Sequence, residues 1–280
     1  MLFDAPPPPR PLGRRLYAIL ALVTFALWSG SVACLWTSES HLVFQAGRSR
    51  IRLLPPPPDL IQLTTPDGMR LEAMSLTHDA PPRYWILFCP PSAGSIHGPV
   101  RRHIKALHAA GYNVFAFDYR GFGRNAGLPS EAGVYEDALT AYRYLTERLH
   151  VEPERIILAG RSLGSAVAVE LATRVPASGL LLFSAIDSVP ATASRWYPWA
   201  PVGRLATLQF DSLTKAARVT VPVLQVHAPN DWLVPLEAAR ALFDRFPGRK
   251  VMLELPGGHN SVGLADESLG RALGEFWSLF

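Results

Sequence analysis

The run Ile156-Ile157-Leu158-Ala159-Gly160-Arg161-Ser162-Leu163-Gly164-Ser165-Ala166-Val167 constrains this chain more than any other stretch. An apolar, β-branched segment ends at Gly160, and a helix-forming segment opens at Leu163. Between them lies Gly-Arg-Ser-Leu-Gly, a G-x-S-x-G whose spacing makes a sharp elbow in a strand–turn–helix unit. The turn is tight enough that side chains two before and two after the serine would clash, hence glycine at 160 and 164. Ser162 is thereby exposed at the carboxyl end of a strand, with a helix N-terminus behind it. Backbone N–H groups there can receive negative charge developing on an oxygen. The five-residue pattern alone also fits a glycine-rich turn carrying an idle serine, so the rest of the chain decides between the two.

The remaining pattern is one of strands alternating with helices. Leu60–Thr64 and Arg70–Ser75 flank Thr65-Pro66-Asp67-Gly68 and read as an antiparallel hairpin. Tyr84–Phe88, Val114–Asp118, Ile156–Gly160, Gly179–Phe183, Val223–His227 and Lys250–Leu255 read as strands, the apolar ones of the kind buried on both faces of a parallel sheet. Helices are expected over Pro99–Ala110, Glu131–His150, Leu163–Val175, Leu236–Phe246 and Ala265–Leu279. Such alternation implies an α/β domain over residues 60–280, with a mainly parallel sheet, right-handed crossovers, and ligands bound beyond the carboxyl ends of the strands. Residues 185–220 break the rhythm. Their Trp196-Tyr197-Pro198-Trp199-Ala200-Pro201 suits either a cap-like insert over the site or simple packing of the insert onto the sheet.

A serine nucleophile needs a base, and the base needs an orienting acid, in the chain order Ser, Asp or Glu, His for this architecture. Only His227 and His259 follow Ser162. His259 lies in Pro256-Gly257-Gly258-His259-Asn260, directly after a strand end, whereas His227 closes a buried strand and reads as a packed structural histidine. Asp231 lies just past Val223–His227, where a carboxylate can accept the imidazole N–H; a helix cap before Pro235 is its other reading. Asp187 is the weaker rival acid, one strand earlier.

Several runs together resemble the α/β-hydrolase superfamily, in the serine-aminopeptidase-like branch that also contains membrane-associated depalmitoylase-type proteins. They are Phe117-Asp118-Tyr119-Arg120-Gly121-Phe122-Gly123-Arg124, Pro129-Ser130-Glu131, Gly160-Arg161-Ser162-Leu163-Gly164, Phe210-Asp211-Ser212-Leu213, Val221-Pro222-Val223-Leu224, Asn230-Asp231 with Val234-Pro235, and Gly258-His259. The resemblance covers roughly residues 60–280. It implies an α/β-hydrolase fold with helices on both faces of the sheet, and a catalytic triad of Ser162, Asp231 and His259. Where the branch usually has His-Gly-Asn after the third strand, this chain has Pro90, Pro91 and Ser92, then Ala93-Gly94. Proline has no N–H to donate. The matching oxyanion donors are therefore Ser92 and Leu163. The branch's His-Gly is His227-Ala228 here, a local backbone change.

The implied chemistry is cleavage of a small-molecule or lipid acyl ester or thioester through an acyl-Ser162, with amide cleavage open to the same machinery and no metal or organic cofactor. The alternative, motivated by Pro90-Pro91, is a binding or scaffold protein that kept the fold and lost the chemistry. Charge argues against a nucleic-acid partner. The net +4 comes mostly from residues 1–59, with six arginines against three acids, whereas residues 60–280 carry 21 basic and 20 acidic residues. Cys34 and Cys89, the two cysteines, lie in different contexts and support neither a disulfide framework nor a zinc site.

Leu16–Trp36 is 21 residues without a charge, preceded by Arg10, Arg14 and Arg15 and carrying Trp28 and Trp36 toward its far end. That length spans a bilayer, and the arginines place residues 1–15 in the cytoplasm and the larger domain on the far side. A cleaved signal peptide is the second reading, with Ser31-Val32-Ala33-Cys34 resembling a lipoprotein processing site and Cys34 the lipidated residue. Residues 37–59 read as a linker, stiffened by Pro55–Pro58 as the tail is by Pro6–Pro9. Oligomeric state has no signature in the sequence.

Overall fold

The apolar runs become the centre of one eight-stranded sheet, ordered β1-β2-β4-β3-β5-β6-β7-β8. The strands are β1 Ile61–Thr64, β2 Arg70–Leu76, β3 Trp85–Cys89, β4 Asn113–Phe117, β5 Ile156–Arg161, β6 Gly179–Phe183, β7 Val223–His227 and β8 Lys250–Glu254. This computed structural model describes residues 13–50, 53–56, 60–80, 82–263 and 267–278. β1 and β2 form the expected hairpin, with Ile61 opposite Ala73 and Thr64 opposite Arg70, and β2 runs antiparallel to β4. All remaining pairings are parallel. Period-two alternation divides the apolar residues between two layers. Leu87, Phe115, Leu158 and Leu182 face one, while Ile86, Phe88, Val114, Ile157 and Leu181 face the other. Every residue of β4, β5, β6 and β7 is buried, which is why these strands read as unbroken hydrophobic runs.

Helices cover both faces. Glu131–Arg143, Leu163–Ala172 and Leu236–Arg245 send Val134, Val167 and Leu242 into the first layer, and Arg101–Ala109 and Glu267–Ser278 send Leu107 and Leu273 into the second. Ser130 caps the first of these, its Oγ accepting the Gly133 N–H at 3.1 Å. That helix was expected to continue as α to His150; instead a π-turn runs over Tyr144–Arg148, and Leu145 stays fully buried through the re-phased turn. The C-terminal helix is described over Glu267–Ser278, so both ends of the expected Ala265–Leu279 lie outside the described residues.

The chain divides into two units, at Glu39 and Ser40. In the first, one helix covers Arg14–Thr37 and buries no residue. It is long and apolar enough to cross a membrane. Two of its hydroxyls bond within the helix, Thr24 donating to the Leu20 carbonyl and Ser31 to that of Leu27, each at 2.8 Å. Of the expected tail over residues 1–15, residues 1–12, with Arg10 and Pro6–Pro9, lie outside the described residues, and Arg14 and Arg15 open the helix.

Two readings of the sequence change. Residues 37–59 are not a plain linker, and the larger unit begins near residue 40 rather than 60. Short helices form over Glu39–Phe44 and Ala46–Ser49, and Phe44 is 1% exposed inside the main core, edge-on to Phe122 and Phe210. The physical reason is this single buried ring, which gives no periodicity to detect. Pro57–Asp59 lie outside the described residues. The insert at 185–220 is partly helical. Ser188 caps Val189–Trp196 through the Ala191 N–H at 3.1 Å, and Phe210 returns the chain to the core.

Candidate active site

β5 lies at the middle of the sheet, and its last residues turn into the helix Leu163–Ala172 at Ser162. Ser162 has φ 51° and ψ −122°, a conformation that L-residues rarely adopt. Both glycines of the motif are dictated by contact. A Cβ on Gly160 would lie 2.1 Å from the Gly164 carbonyl oxygen, and one on Gly164 would lie 2.1 Å from that of Cys89. The elbow is thus wedged against the turn that follows β3.

The structure brings the three distant residues together. His259 Nε2 is 2.8 Å from Ser162 Oγ, and His259 Nδ1 is 2.8 and 3.0 Å from the two Asp231 oxygens. A carboxylate only accepts, so Nδ1 carries the ring proton and Nε2 is left to accept from the serine hydroxyl. Asp231 is itself fixed by its own loop, its Oδ1 accepting the N–H groups of Leu233 and Val234 at 2.9 Å each. Burial pushes its pKa up, but hydrogen bonds from His259, Val234 and Leu233 outweigh it and hold the carboxyl down to about 2. The charged form therefore persists at neutral pH in a buried position.

His227 is wholly buried and binds the Val234 carbonyl through Nε2 at 3.0 Å, bracing the loop that carries Asp231. Burial holds its pKa below the ordinary histidine value. Asp187 does not reach the imidazole. It pairs with Arg195 and accepts the N–H of Ser188 and the hydroxyl of Thr192, tying down the base of the helix Val189–Trp196.

Ser92 and Leu163 line the same cavity of about 280 Å³ as Ser162. Neither backbone N–H has a hydrogen-bond partner among the described residues, while that of Ser162 is taken by the Phe183 carbonyl at 3.0 Å. Two residues of the cavity lining, Ser92 and Leu163, thus keep an unpaired backbone N–H among the described residues, despite Pro90 and Pro91. Apolar groups dominate the rest of the lining, among them Ile186, Val189, Trp196 and Trp232. Trp232 stands edge-on to the His259 ring, with centroids 5.9 Å apart. Among the described residues, no cluster of His, Cys, Asp and Glu could hold a metal ion.

Two features gave no signal in the sequence. Arg161, a charged residue inside the motif, is 1% exposed. It donates to the carbonyls of His259 at 2.8 Å and Val262 at 3.3 Å, and Ser184 Oγ also donates to that of His259 at 3.1 Å. Burial, with help from the nearby Arg102 charge, pulls the Arg161 pKa down to about 10, so it stays cationic at neutral pH. The residue beside Ser162 therefore holds the loop that carries His259. The second feature is the segment Leu42–Gln45, which forms part of the cavity wall.

Comparison with known proteins bears on the family of this chain. The family model for serine aminopeptidase, S33, matches residues 93–213. An uncharacterized protein of Mycobacterium tuberculosis (strain CDC 1551 / Oshkosh) is 36% identical over 258 residues, covering 89% of each chain. Human alpha/beta hydrolase domain-containing protein 17B is 26% identical over 272 residues, covering 96% of this chain and 92% of its own.

The chain belongs to the α/β-hydrolase superfamily.

Solved structures share the fold of this hydrolase-family chain. The Pyrococcus furiosus esterase Pf2001 has a TM-score of 0.65 at 18% identity, covering 82% of this chain and 97% of its own. Est1E from Butyrivibrio proteoclasticus, solved with ferulic acid bound, has a TM-score of 0.65 at 19% identity, covering 78% and 98%. Within the superfamily, the Phe117–Arg124 run is scaffold here. Asp118 accepts from Ser95 Oγ at 2.6 Å and the Ile96 N–H at 2.8 Å, and Arg120 pairs with Asp137.

Proposed function

We propose that this protein is a membrane-anchored serine hydrolase that cleaves an ester or thioester through an acyl-serine intermediate. The observation that carries the reading is the imidazole of His259, 2.8 Å from the Ser162 hydroxyl on one side and held by the Asp231 carboxylate on the other. In the proposed reaction Ser162 Oγ attacks the substrate carbonyl carbon while His259 Nε2 takes the hydroxyl proton. Asp231 stabilises the imidazolium that results. The N–H groups of Ser92 and Leu163 receive the oxyanion. Collapse of the tetrahedral intermediate expels the alcohol or thiol, which takes the proton from His259, and leaves an acyl-Ser162. Water, deprotonated by His259, then attacks that acyl carbon and releases the acid, returning the proton to Ser162. The mostly apolar cavity wall favours an apolar acyl group.

The test is labelling by a fluorophosphonate and turnover of a short-chain aryl ester, with thioesters and aminoacyl anilides assayed alongside to rank ester, thioester and amide. Wild type is expected to label and turn over, and Ser162→Ala to do neither. An unchanged rate in Ser162→Ala removes the reading. A folded wild type that neither labels nor turns over points instead to a binding or scaffold role.

The helix Arg14–Thr37 serves in this reading as the anchor, with Arg14 and Arg15 on the cytoplasmic side and the catalytic unit across the membrane. Cys34→Ser separates anchor from lipoprotein: membrane association that survives the substitution supports the uncleaved helix.

A further inference from the structure

The loop after β3 has few backbone donors to hold it. Pro90 and Pro91 have no N–H, so only Ser92, Ala93 and Gly94 can donate from the turn. The Gly94 N–H goes to the Pro91 carbonyl at 3.0 Å and closes the turn on itself. The Ala93 N–H goes to the carbonyl of Phe44 at 3.0 Å. Within the turn, only the Ser92 N–H is left without a partner among the described residues, and Ser92 lines the cavity. Ala93 sits at φ 56°, a conformation that costs energy in a residue with a Cβ and so needs an external restraint.

The restraint is a strap. Phe44 plants its ring in the core against Phe122 and Phe210, with centroids 6.4 and 5.8 Å away. Beyond it, Ser49 Oγ accepts the Gly123 N–H at 2.9 Å, and Arg50 donates to the carbonyls of Gly121 and Asn125 at 3.3 and 3.1 Å. The Leu54 N–H reaches the His97 carbonyl at 2.7 Å.

We propose that the segment Leu42–Arg50 is a positioning element of the active site. Phe44 anchors it, and through its carbonyl fixes Ala93 so that the Ser92 N–H points at the oxyanion. This rests on the serine-hydrolase reading of Ser162, Asp231 and His259. Its mechanistic content is separate: the oxyanion donor next to the double proline is held by residues that precede the sheet, not by the loop itself. Only Ser38 to His41 stand between the end of the apolar helix at Thr37 and this strap, so cutting the chain within the strap is expected to impair catalysis as well as release the enzyme.

The test uses full-length protein in detergent, with each preparation titrated by fluorophosphonate so that rates are per active serine. An aryl acetate is the substrate, because its acyl group is too small to depend on the strap for binding. Phe44→Ala is expected to lower kcat about 10–100-fold, somewhat less than outright loss of an oxyanion donor, with KM changed less than twofold. Affinity for a trifluoromethyl ketone, which places an oxyanion in the hole, is expected to fall by the same factor as kcat. Phe44→Leu should restore most of both. A merely structural defect would instead lower the titratable fraction and leave kcat per site alone. If Phe44→Ala does not fold, the deciding variant replaces Ala93 by lactic acid, which deletes the N–H that binds Phe44, and the same paired loss is expected. Unchanged kcat per site, or a kcat loss with unchanged ketone affinity, overturns the proposal. A wild type that neither labels nor turns over overturns both this proposal and the functional reading, whereas an active wild type with a silent strap overturns this one alone.

Discussion

Replacing Ser162 by glycine should yield a more stable protein than replacing it by alanine, the reverse of the usual order. Both substitutions remove the hydroxyl and its hydrogen bond to His259, so that loss cancels between them. What differs is the Cβ. At φ 51° and ψ −122° a residue with a Cβ is strained, at a cost of about 1–3 kcal/mol. Glycine escapes that strain but loses about 0.5–1 kcal/mol more chain entropy on folding. The balance leaves Ser162→Gly ahead of Ser162→Ala by about 1 kcal/mol, or about 2–4 °C in midpoint for a domain of this size. The assay is thermal and urea unfolding of the two variants side by side under identical detergent conditions, with both checked for absence of fluorophosphonate labelling. An alanine variant equal to or more stable than the glycine variant refutes the argument that the elbow stores strain at the nucleophile.

Arg161→Met should lower kcat by about 10–100-fold, because an active-site group displaced by about 1 Å costs about 100-fold and the His259 loop loses two guanidinium hydrogen bonds. The midpoint should move little, since losing charged hydrogen bonds worth about 1.5–3 kcal/mol each is offset by removing a buried cation that has no ion-pair partner among the described residues; kcat at the wild-type value shows that the arginine does not position His259. Acid unfolding checks Asp231. Its carboxyl is lowered from 3.8 to about 2 in the folded state, so it stabilises above the unfolded value and that stabilisation disappears as pH falls through the folded one. Relative to Asp231→Asn, wild type should lose about 2 kcal/mol between pH 4 and pH 2, at 1.36 kcal/mol per unit, read from urea midpoints; a difference that stays constant over that range removes the hydrogen-bonded carboxylate from the explanation.

The legible parts of this chain are those in which local pattern and final environment agree. β4 to β7 are buried on both faces and read as continuous apolar runs, so their limits differ from expectation by a residue or so. Ser162, Asp231 and His259, which the structure brings into hydrogen-bond contact, were legible from the serine motif, the chain order and the rule that ligands bind where parallel strands end. What escaped notice lacks a local pattern. Arg161 carries a full charge into the interior because two loop carbonyls await it there, and those carbonyls belong to residues about a hundred positions further on. Phe44 is a lone aromatic in a short apolar run, Leu42-Val43-Phe44, and its partners Phe122 and Phe210 are far away in sequence. The Pro90-Pro91 departure looked like a threat to the oxyanion hole when only the loop was considered. With the strap in place it reads differently: two missing N–H groups leave fewer ways to fold the turn.

Trp232 carries a practical consequence. Its indole is 61% exposed, touches the Trp196 ring edge-on and faces the imidazole of His259. It lines the cavity, so an apolar moiety bound against it would shift its emission to shorter wavelength. The enzyme thus holds an intrinsic optical probe at its entrance, and ligands can be screened by light, without knowledge of the natural substrate, once the other indoles are silenced by substitution.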